Sequence, residues 1–349
     1  MKTKQTATLF AILAAALYAI NVPLSKQLLH TVGSTMMAAF LYLGAGLGML
    51  ALAAVEAKTG RQPKAEPLTR AEMPYTIAMV VLDIAAPILL MMGLSMSSSA
   101  SVSLLYNFEI VATSLIACFV FREVLSKQLW IAIGLVTLAS IILGFEGSSS
   151  LRFNLGSVFV LGACTCWGLE NNCTRMISNK SAQEIVIIKG LCSGLGSLVI
   201  ALISGEAFPR FFEMMKILLL GFVAYGLSIQ FYILAQKELG AAKTSAYYSV
   251  APFLGVLFSL VLLGEKPGWQ FYIAFLIMAA STVLMVRDSI SLQHTHVHTH
   301  THSHPHRHGD IVHTHEHTHQ HSHTHIHGED EGVHSHPHQD LEDHNHSHS

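Results

Sequence analysis

The sequence predicts an all-α integral membrane protein in which ten transmembrane helices form two inverted five-helix repeats, followed by a disordered tail. Three features predict this fold: an apolar composition, ten apolar runs of membrane-spanning length, and an internal repeat. Of the 349 residues, 51% are hydrophobic and 12% are charged, whereas soluble domains carry about 25% charged residues. This composition excludes an ordinary soluble domain, and the formal net charge of −2 favours no nucleic-acid partner.

Ten apolar runs fill most of the chain before residue 290. A run of about 20 apolar residues is long enough to cross a bilayer core of about 30 Å. Lys2 and Lys4, ahead of the first run, also fit a signal peptide, but the apolar region of a signal peptide is shorter, at about 7–15 residues. We therefore count the first run as a helix. The ten expected helices lie at residues 6–30, 34–56, 73–96, 99–121, 127–145, 155–178, 182–204, 213–236, 242–264 and 269–286.

The distribution of Lys and Arg predicts the orientation in the membrane. With a cytosolic N-terminus, the cytosolic segments hold thirteen Lys and Arg residues and the outer segments hold five. The positive-inside rule then places both termini in the cytosol. We expect a multi-pass protein of the cytoplasmic membrane of a bacterial or archaeal cell, with the lipid bilayer as its first partner.

The chain repeats itself internally. Residues 73–144, shifted by 142 positions, meet residues 215–286 without a gap, and this shift places Glu123 on Glu265. Chance similarity between apolar helices is the alternative, but two glutamates in register at equivalent turns argue against it. Each half therefore holds five helices.

An odd number of helices in each half gives the two halves opposite orientations. At a shift of 149 positions the first helices also match, with Tyr18 on Trp167. We expect a first repeat at residues 1–145, a second at residues 146–290 and the tail at residues 291–349. Inverted repeats are characteristic of secondary transporters, in which the substrate site lies near the bilayer midplane between the repeats.

The end of the fourth helix in each half carries the most specific motif. Residues 247–268 read YYSVAPFLGVLFSLVLLGEKPG, and residues 105–126 read LYNFEIVATSLIACFVFREVLS. A proline-containing helix, an apolar run and Gly-Glu before the turn are typical of EamA-type transporters of the drug/metabolite transporter superfamily. The chain resembles this family over about residues 6–287.

The first half departs from the family pattern at two positions. Ile110 stands where the second half has Pro252, and Arg122 stands where it has Gly264. The central cavity of the first half can therefore differ from the family pattern. The resemblance implies ten helices and the transport of small metabolites, and it fixes no substrate.

Two carboxylates are expected near the middle of the membrane. Asp83 and Glu109 each lie about ten residues into a predicted helix, which is about 15 Å at 1.5 Å per residue. Polar groups at this depth usually face the interior of the bundle and mark transport pathways. Because a carboxyl in a low-dielectric site can exchange a proton, we assign both to coupling with protons or cations. The alternative is a protonated carboxyl hydrogen-bonded to a neighbouring helix.

Glu170 and Lys189 form a second candidate pair. Both lie about seven or eight residues from the same end of their helices, so their depths match. Burying either charge alone is costly, which favours an ion pair. The alternative is that Lys189 extends towards the cytosolic interface.

Aromatic and amide side chains in the predicted helices suit recognition of a small organic solute. The repeat aligns Asn21 with Glu170 and Asp83 with Tyr225. Any single one of these side chains can instead serve packing. The remaining candidate cavity residues are Asn21, Tyr106, Asn107, Trp167, Tyr225, Gln230, Tyr247 and Tyr248.

The tail from His294 onward holds all of the 23 histidines except His30. It has no apolar period, so we expect disorder. Histidine-rich tracts are typical of metal binding, and Zn, Ni, Co and Cu all fit imidazole ligands. The candidate metal ligands are His294, His296, His298, His300, His302, His304, His313, His315, His317, His319, His321 and His323.

Together these features favour a secondary-active transporter that exports a small organic metabolite, such as an amino acid or a drug-like solute, by alternating access between the repeats. The tail is expected to bind metal and regulate transport. The alternative is a divalent transition-metal transporter whose tail buffers its cargo, although the membrane core offers few nitrogen ligands. The sequence holds no Walker loop and no H-E-x-x-H motif, so we expect no enzymatic activity and no required cofactor. The oligomeric state is left open.

Overall fold

The computed structural model describes residues 2–58, 69–122, 125–144, 154–177, 180–239, 241–291, 293–308 and 311–326. The chain divides into two compact units, Met1–Ile290 and Ser291–Ser349. The regular elements of the first unit are helices, and the second unit contains two strands.

Each of the ten apolar runs is helical, either in one piece or in consecutive pieces. The first five runs form α1 (Lys2–Ala19), α2 (Asn21–Leu28), α3 (Ser34–Lys58), a 3-10 turn (Arg70–Glu72), α4 (Met73–Met96), α5 (Ser99–Leu105), α6 (Phe108–Phe121) and α7 (Lys127–Gly144). The other five form α8 (Leu155–Met176), α9 (Ala182–Ile188), a π-helical segment (Lys189–Ser193), α10 (Gly194–Ile203), α11 (Phe211–Gly221), a second π-helical segment (Phe222–Leu227), α12 (Ser228–Leu239), α13 (Ala241–Tyr248), α14 (Ala251–Leu263) and α15 (Trp269–Ser291).

Within the described residues, eight helical stretches are long and apolar enough to cross a membrane. Two of the ten predicted runs do not meet this measure. Helix α8 has 22 residues, but Glu170, Asn171 and Asn172 near its end lower its apolar character. The run at 242–264 is divided into α13 and α14, and α14 alone has 13 residues. The chain is therefore a multi-pass membrane protein with at least eight candidate spans.

Polar caps begin several helices at the loops. The Ser98 hydroxyl accepts a hydrogen bond from the Ser101 N–H at 3.2 Å, and Asn154 Oδ1 accepts one from the Gly156 N–H at 2.9 Å. Side chains of this kind satisfy N–H groups that have no partner within the helix. They fix where α5 and α8 start.

The C-terminal ends of α6 and α14 share one unusual conformation. Gly264 ends α14 with φ of 64°, and Arg122 ends α6 with φ of 57°. These are the two positions that the sequence repeat aligns. Glycine adopts this left-handed conformation without a steric cost, whereas arginine does not. The backbone at Arg122 thus has the same left-handed conformation as at Gly264, but the residue there is not the glycine that adopts it without strain.

Five runs contain an interruption close to their middle. Ile20 separates α1 from α2, Tyr106 and Asn107 separate α5 from α6, and two residues separate α13 from α14. The other two runs contain the π-helical segments. Pro252 lies in the first turn of α14 and accounts for one break. The equivalent break before α6 occurs without a proline, so Ile110 does not abolish it.

Glycines allow the closest helix contacts around α3. A Cβ on Gly44 would overlap the main-chain oxygen of Leu218 in α11, and a Cβ on Gly190 would overlap the backbone of Gly46. Small residues let membrane helices approach at backbone distance. The two π-helical segments and α11 are therefore packed directly against α3.

The second unit corrects the prediction of a disordered tail for the residues that are described. Strands β1 (Gln293–His308) and β2 (Ile311–Ile326) pair in antiparallel register. His294 lies opposite His325, and His306 opposite His313. A missing apolar period does not exclude a strand, because strict alternation of two residue types also has the two-residue period of a strand. Residues 327–349 lie outside the described part.

Candidate functional site

A buried ion cluster joins α4, α8 and the first π-helical segment. The Lys189 ammonium lies 2.8 Å from Glu170 Oε1 and 3.2 Å from Asp83 Oδ2. Thr174 donates a further hydrogen bond to Glu170 Oε1. Asp83 is fully buried, Glu170 is 2% exposed and the Lys189 side chain is 21% exposed. One ammonium thus compensates two carboxylates from different helices.

Two aromatic side chains hold the Asp83 carboxylate in place. The Tyr42 hydroxyl donates to Asp83 Oδ1 at 3.1 Å. The Trp167 indole N–H donates in turn to the Tyr42 oxygen at 3.3 Å. Because buried carboxylates need hydrogen-bond partners, this chain orients the acid and connects it to the rings beside it.

Glu109 occupies a separate polar contact between α6 and α8. Asn171 Nδ2 donates to Glu109 Oε1 at 2.8 Å and lies 3.3 Å from the Thr113 hydroxyl. The Thr113 hydroxyl itself donates to the Glu109 carbonyl oxygen at 2.8 Å. Glu109 therefore has an amide partner and is not part of the Lys189 ion cluster.

Six aromatic side chains pack together beside these charges, and we call them the aromatic cluster: Tyr18, Tyr42, Tyr106, Trp167, Tyr225 and Tyr248. The Tyr18 ring centre lies 6.0 Å from that of Tyr106, 5.9 Å from that of Tyr225 and 5.9 Å from that of Tyr248. Tyr42 lies 5.6 Å from Tyr225. Asn21 Nδ2 donates to the Tyr225 hydroxyl at 2.9 Å.

The backbone interruptions lie next to this cluster in sequence. Tyr18 precedes the break at Ile20, Tyr106 lies in a break, and Tyr248 ends α13 just before another. Lys189 and Tyr225 lie within the π-helical segments. Such segments are frequent at functional sites. The interrupted helices therefore supply both the rings and the buried ammonium.

A small cavity lies at the edge of the aromatic cluster, between α1, α2, α5 and α14. The space open to water centres is about 10 Å³, which is about what one water molecule requires. The Ser103 hydroxyl is buried and has no hydrogen-bond partner within the described part of the chain. The cavity is lined by Tyr18, Ala19, Val22, Ser103, Tyr106, Ala251, Pro252 and Gly255.

At one end of the bundle, two carboxylates reach from the second half to the first. Glu265 accepts hydrogen bonds from the Ser99 and Ala100 N–H groups at 2.7 and 2.8 Å. Glu206 accepts hydrogen bonds from the Thr35 and Met36 N–H groups at 3.1 and 2.7 Å. We call this end, which holds the turns at 29–33, 97–98, 204–210 and 264–268, the Glu265 end.

Comparison with known proteins identifies the family. The sequence profile of the EamA-like transporter family matches residues 5–145 and 154–287. The chain belongs to the EamA-like transporter family. Membership makes it a multi-pass membrane protein of a family of transporters, which agrees with the resemblance found in the sequence.

Two other comparisons are consistent with this assignment. An uncharacterized transporter of Methanothermobacter thermautotrophicus is 28% identical over 188 residues, which cover 52% of this chain and 54% of the relative. The chain thus matches about half the length of this curated relative. A crystal structure, described only as that of a protein, superposes with a TM-score of 0.59 at 15% identity, covering 82% of this chain and 98% of the other. This likeness concerns the fold alone.

In this EamA-like chain, most predicted site residues come together. Eight of them lie in the ion cluster, the aromatic cluster or direct contact with them: Asn21, Asp83, Tyr106, Trp167, Glu170, Lys189, Tyr225 and Tyr248. Glu109 lies in its own polar contact with Asn171, and three others join neither cluster. Asn107 donates to the Leu104 carbonyl oxygen within its own turn at 3.0 Å, and no hydrogen bond within the described residues joins Gln230 to either cluster. Tyr247 is 40% exposed.

Tyr42, Ser103 and Asn171 were not predicted from the sequence, and Tyr18 was not assigned to the cavity. Tyr18 aligns with Trp167 in the repeat, so the sequence alone could have indicated that Tyr18 belongs to the site. Tyr42 and Asn171 have no comparable signal, because their roles depend on which helices become neighbours.

Among the described side chains, no group of three or more His, Cys, Asp or Glu residues is arranged to hold a metal ion. The side chains of the candidate ligands in the tail lie outside that description. The hypothesis of a metal-binding tail therefore stays a prediction.

Proposed function

We propose that this EamA-like protein is a secondary-active transporter of a small organic solute, with ten spans in two inverted repeats. The observation that carries the proposal is the meeting of interrupted helices, buried charges and aromatic rings at one place. Discontinuous helices around a central site are the usual arrangement for secondary transporters. The matching breaks before α6 and before α14 support the inverted repeat.

Alternating access explains why the site is nearly closed. A solute must enter from one side, be enclosed and leave on the other. The cavity described at the edge of the aromatic cluster has room for about one water molecule, so the rings must separate before a solute can bind there. We assign Asp83, Glu109, Glu170 and Lys189 to binding or to coupling with protons or cations. Export, with both termini in the cytosol, is the direction and orientation we propose.

Accumulation of metabolites and metals in cells with and without the protein tests the proposal. We expect one or more organic solutes to change several-fold, and Glu109→Gln to abolish this change. Glu213→Gln, on the first turn of α11 outside both clusters, is the matched control. A change in metal content alone would contradict the proposal and favour a metal transporter.

A further inference from the structure

The balance of charge at the site indicates the chemical class of the solute. Two carboxylates, those of Asp83 and Glu170, share the ammonium of Lys189, and the Glu109 carboxylate lies apart from it against the Asn171 amide. A positively charged solute would compensate the remaining negative charge. An anionic solute would add to it.

The aromatic cluster provides a second, independent feature that suits a cation. Three ring centres lie within about 6 Å of that of Tyr18. The faces of aromatic rings attract a cation placed within about 6 Å of the ring centre, and rings grouped in this way recognise quaternary ammonium groups. Once the rings separate, a solute between them is exposed to several faces.

The cavity beside Tyr18 adds an unused hydrogen-bonding group. Ser103, which lines it, is 1% exposed, and its hydroxyl has no hydrogen-bond partner among the described residues. A buried polar group left without a hydrogen bond costs about 1–3 kcal/mol. This group indicates a place that a polar ligand atom or a water occupies.

We propose that the site takes an organic cation: a solute with a protonated amine or quaternary ammonium group on an apolar body. The proposal rests on the transport function proposed above. The ammonium group lies against the rings on the side of Glu109, and the apolar body fills the space that opens between α1 and α14.

Binding of small probes to the purified full-length protein tests this class. We choose benzyltrimethylammonium as the cation, benzoate as the anion and benzyl alcohol as the neutral probe, measured by isothermal titration calorimetry. We expect the cation to bind at least about tenfold more tightly than the anion. Equal or tighter binding of benzoate would overturn the proposal.

A matched pair of substitutions separates the ring face from simple packing. Tyr18→Phe keeps an aromatic face, whereas Tyr18→Leu removes it. We expect the Leu variant to bind benzyltrimethylammonium several-fold more weakly than the Phe variant, with benzyl alcohol affected equally in both. Equal cation affinity in the two variants, at equal unfolding temperature, would exclude a cation–ring contact.

The charge contribution is tested by Glu109→Gln, with Glu213→Gln as the control. We expect about a tenfold loss of affinity for the cation in the first and none in the second. Proteoliposome transport of the same probes keeps the two proposals distinct. Transport of benzoate but not of the cation would overturn the solute class alone, whereas transport of no solute of any charge would overturn the proposed function as well.

Discussion

At the scale of single residues, Lys189 determines how the buried charges are arranged. Its ammonium serves Glu170 and Asp83 together, although these acids belong to α8 and α4. Removing the ammonium would leave two buried carboxylates facing each other. Breaking a buried ion pair by removing one partner typically costs about 3–5 kcal/mol, whereas removing both charges is often nearly neutral.

We therefore predict that the double variant Glu170→Gln/Lys189→Met is more stable than Lys189→Met alone. The unfolding temperature of each purified variant measures this, in a double-mutant cycle with Glu170→Gln. The reason is that Lys189→Met leaves both carboxylates uncompensated, and the second change removes one of them. Purely additive effects of the two substitutions would show that the ion pair contributes nothing.

Arg122 offers a second prediction at this scale. Its left-handed conformation, with φ of 57°, costs a non-glycine residue roughly 1–2 kcal/mol. Arg122→Gly should remove that strain and raise the free energy of unfolding by up to about 1 kcal/mol. Arg122→Lys is the control, since lysine has the same backbone preference and should give no gain. A glycine variant less stable than the lysine variant would contradict this account.

The acids of the site and the ion pair of Glu170 with Lys189 could be predicted from the sequence, but the other partners could not. The depth of Asp83, Glu109, Glu170 and Lys189 could be counted from helix ends, because rise per residue is constant. That Lys189 would also reach Asp83 could not be counted in this way, since it depends on how α4 approaches the first π-helical segment. The contact of Asn171 with Glu109 depends on helix rotation, which a nearly uniform apolar sequence does not specify.

At the scale of elements, the Glu265 end shows how the two halves are held together. Glu206 and Glu265 each lie in a turn of the second half and cap a helix of the first. A carboxylate at a helix N-terminus accepts hydrogen bonds from N–H groups that lack partners and interacts favourably with the helix dipole. We infer that these two caps keep this end closed, and that they must break when it opens.

Gly33 gives a direct way to break one cap without removing its charge. A Cβ at this position would collide with the Glu206 carboxylate. We predict that Gly33→Ala and Glu265→Gln both open the Glu265 end and increase several-fold the rate at which a maleimide labels Ser99→Cys in detergent. In the present structure Ser99 is fully buried.

Gly134→Ala is the matched control for this experiment, because an added Cβ there meets no atom within 4 Å. The native cysteines set the background, which is measured on the chain with Ser99 intact. Unchanged labelling in Gly33→Ala and in Glu265→Gln, with normal unfolding temperatures, would show that the caps do not control this end.

At the scale of the whole molecule, the division between a membrane core and a histidine-rich unit remains its most unusual feature. The register of β1 and β2 places histidine opposite histidine from His294 and His325 to His306 and His313. Imidazole is a common ligand of divalent transition metals, and this register brings histidines to paired backbone positions on the two strands. We propose that this unit binds metal and regulates transport without forming the transport path.

Truncation after Leu292 tests this role. We predict that the truncated protein loses binding of Zn²⁺ and Ni²⁺ but keeps its transport of the organic solute. In the full-length protein, metal affinity should fall below about pH 6.5, since histidine with an ordinary pKa of about 6.5 is then protonated. Metal titration and proteoliposome transport measure the two outcomes. A truncated protein that inserts normally but transports nothing would refute a purely regulatory tail.

The tightly filled aromatic cluster has an electrical consequence for the cell. With room for about one water molecule beside Tyr18 and Tyr106, this cavity of the described residues is too small for a file of waters along which protons could hop past the two rings. Each protein molecule should therefore conduct few protons at this place, and a membrane that contains many copies should keep its electrical potential. Replacing both tyrosines with alanine should increase the proton leak through the protein and lower the membrane potential.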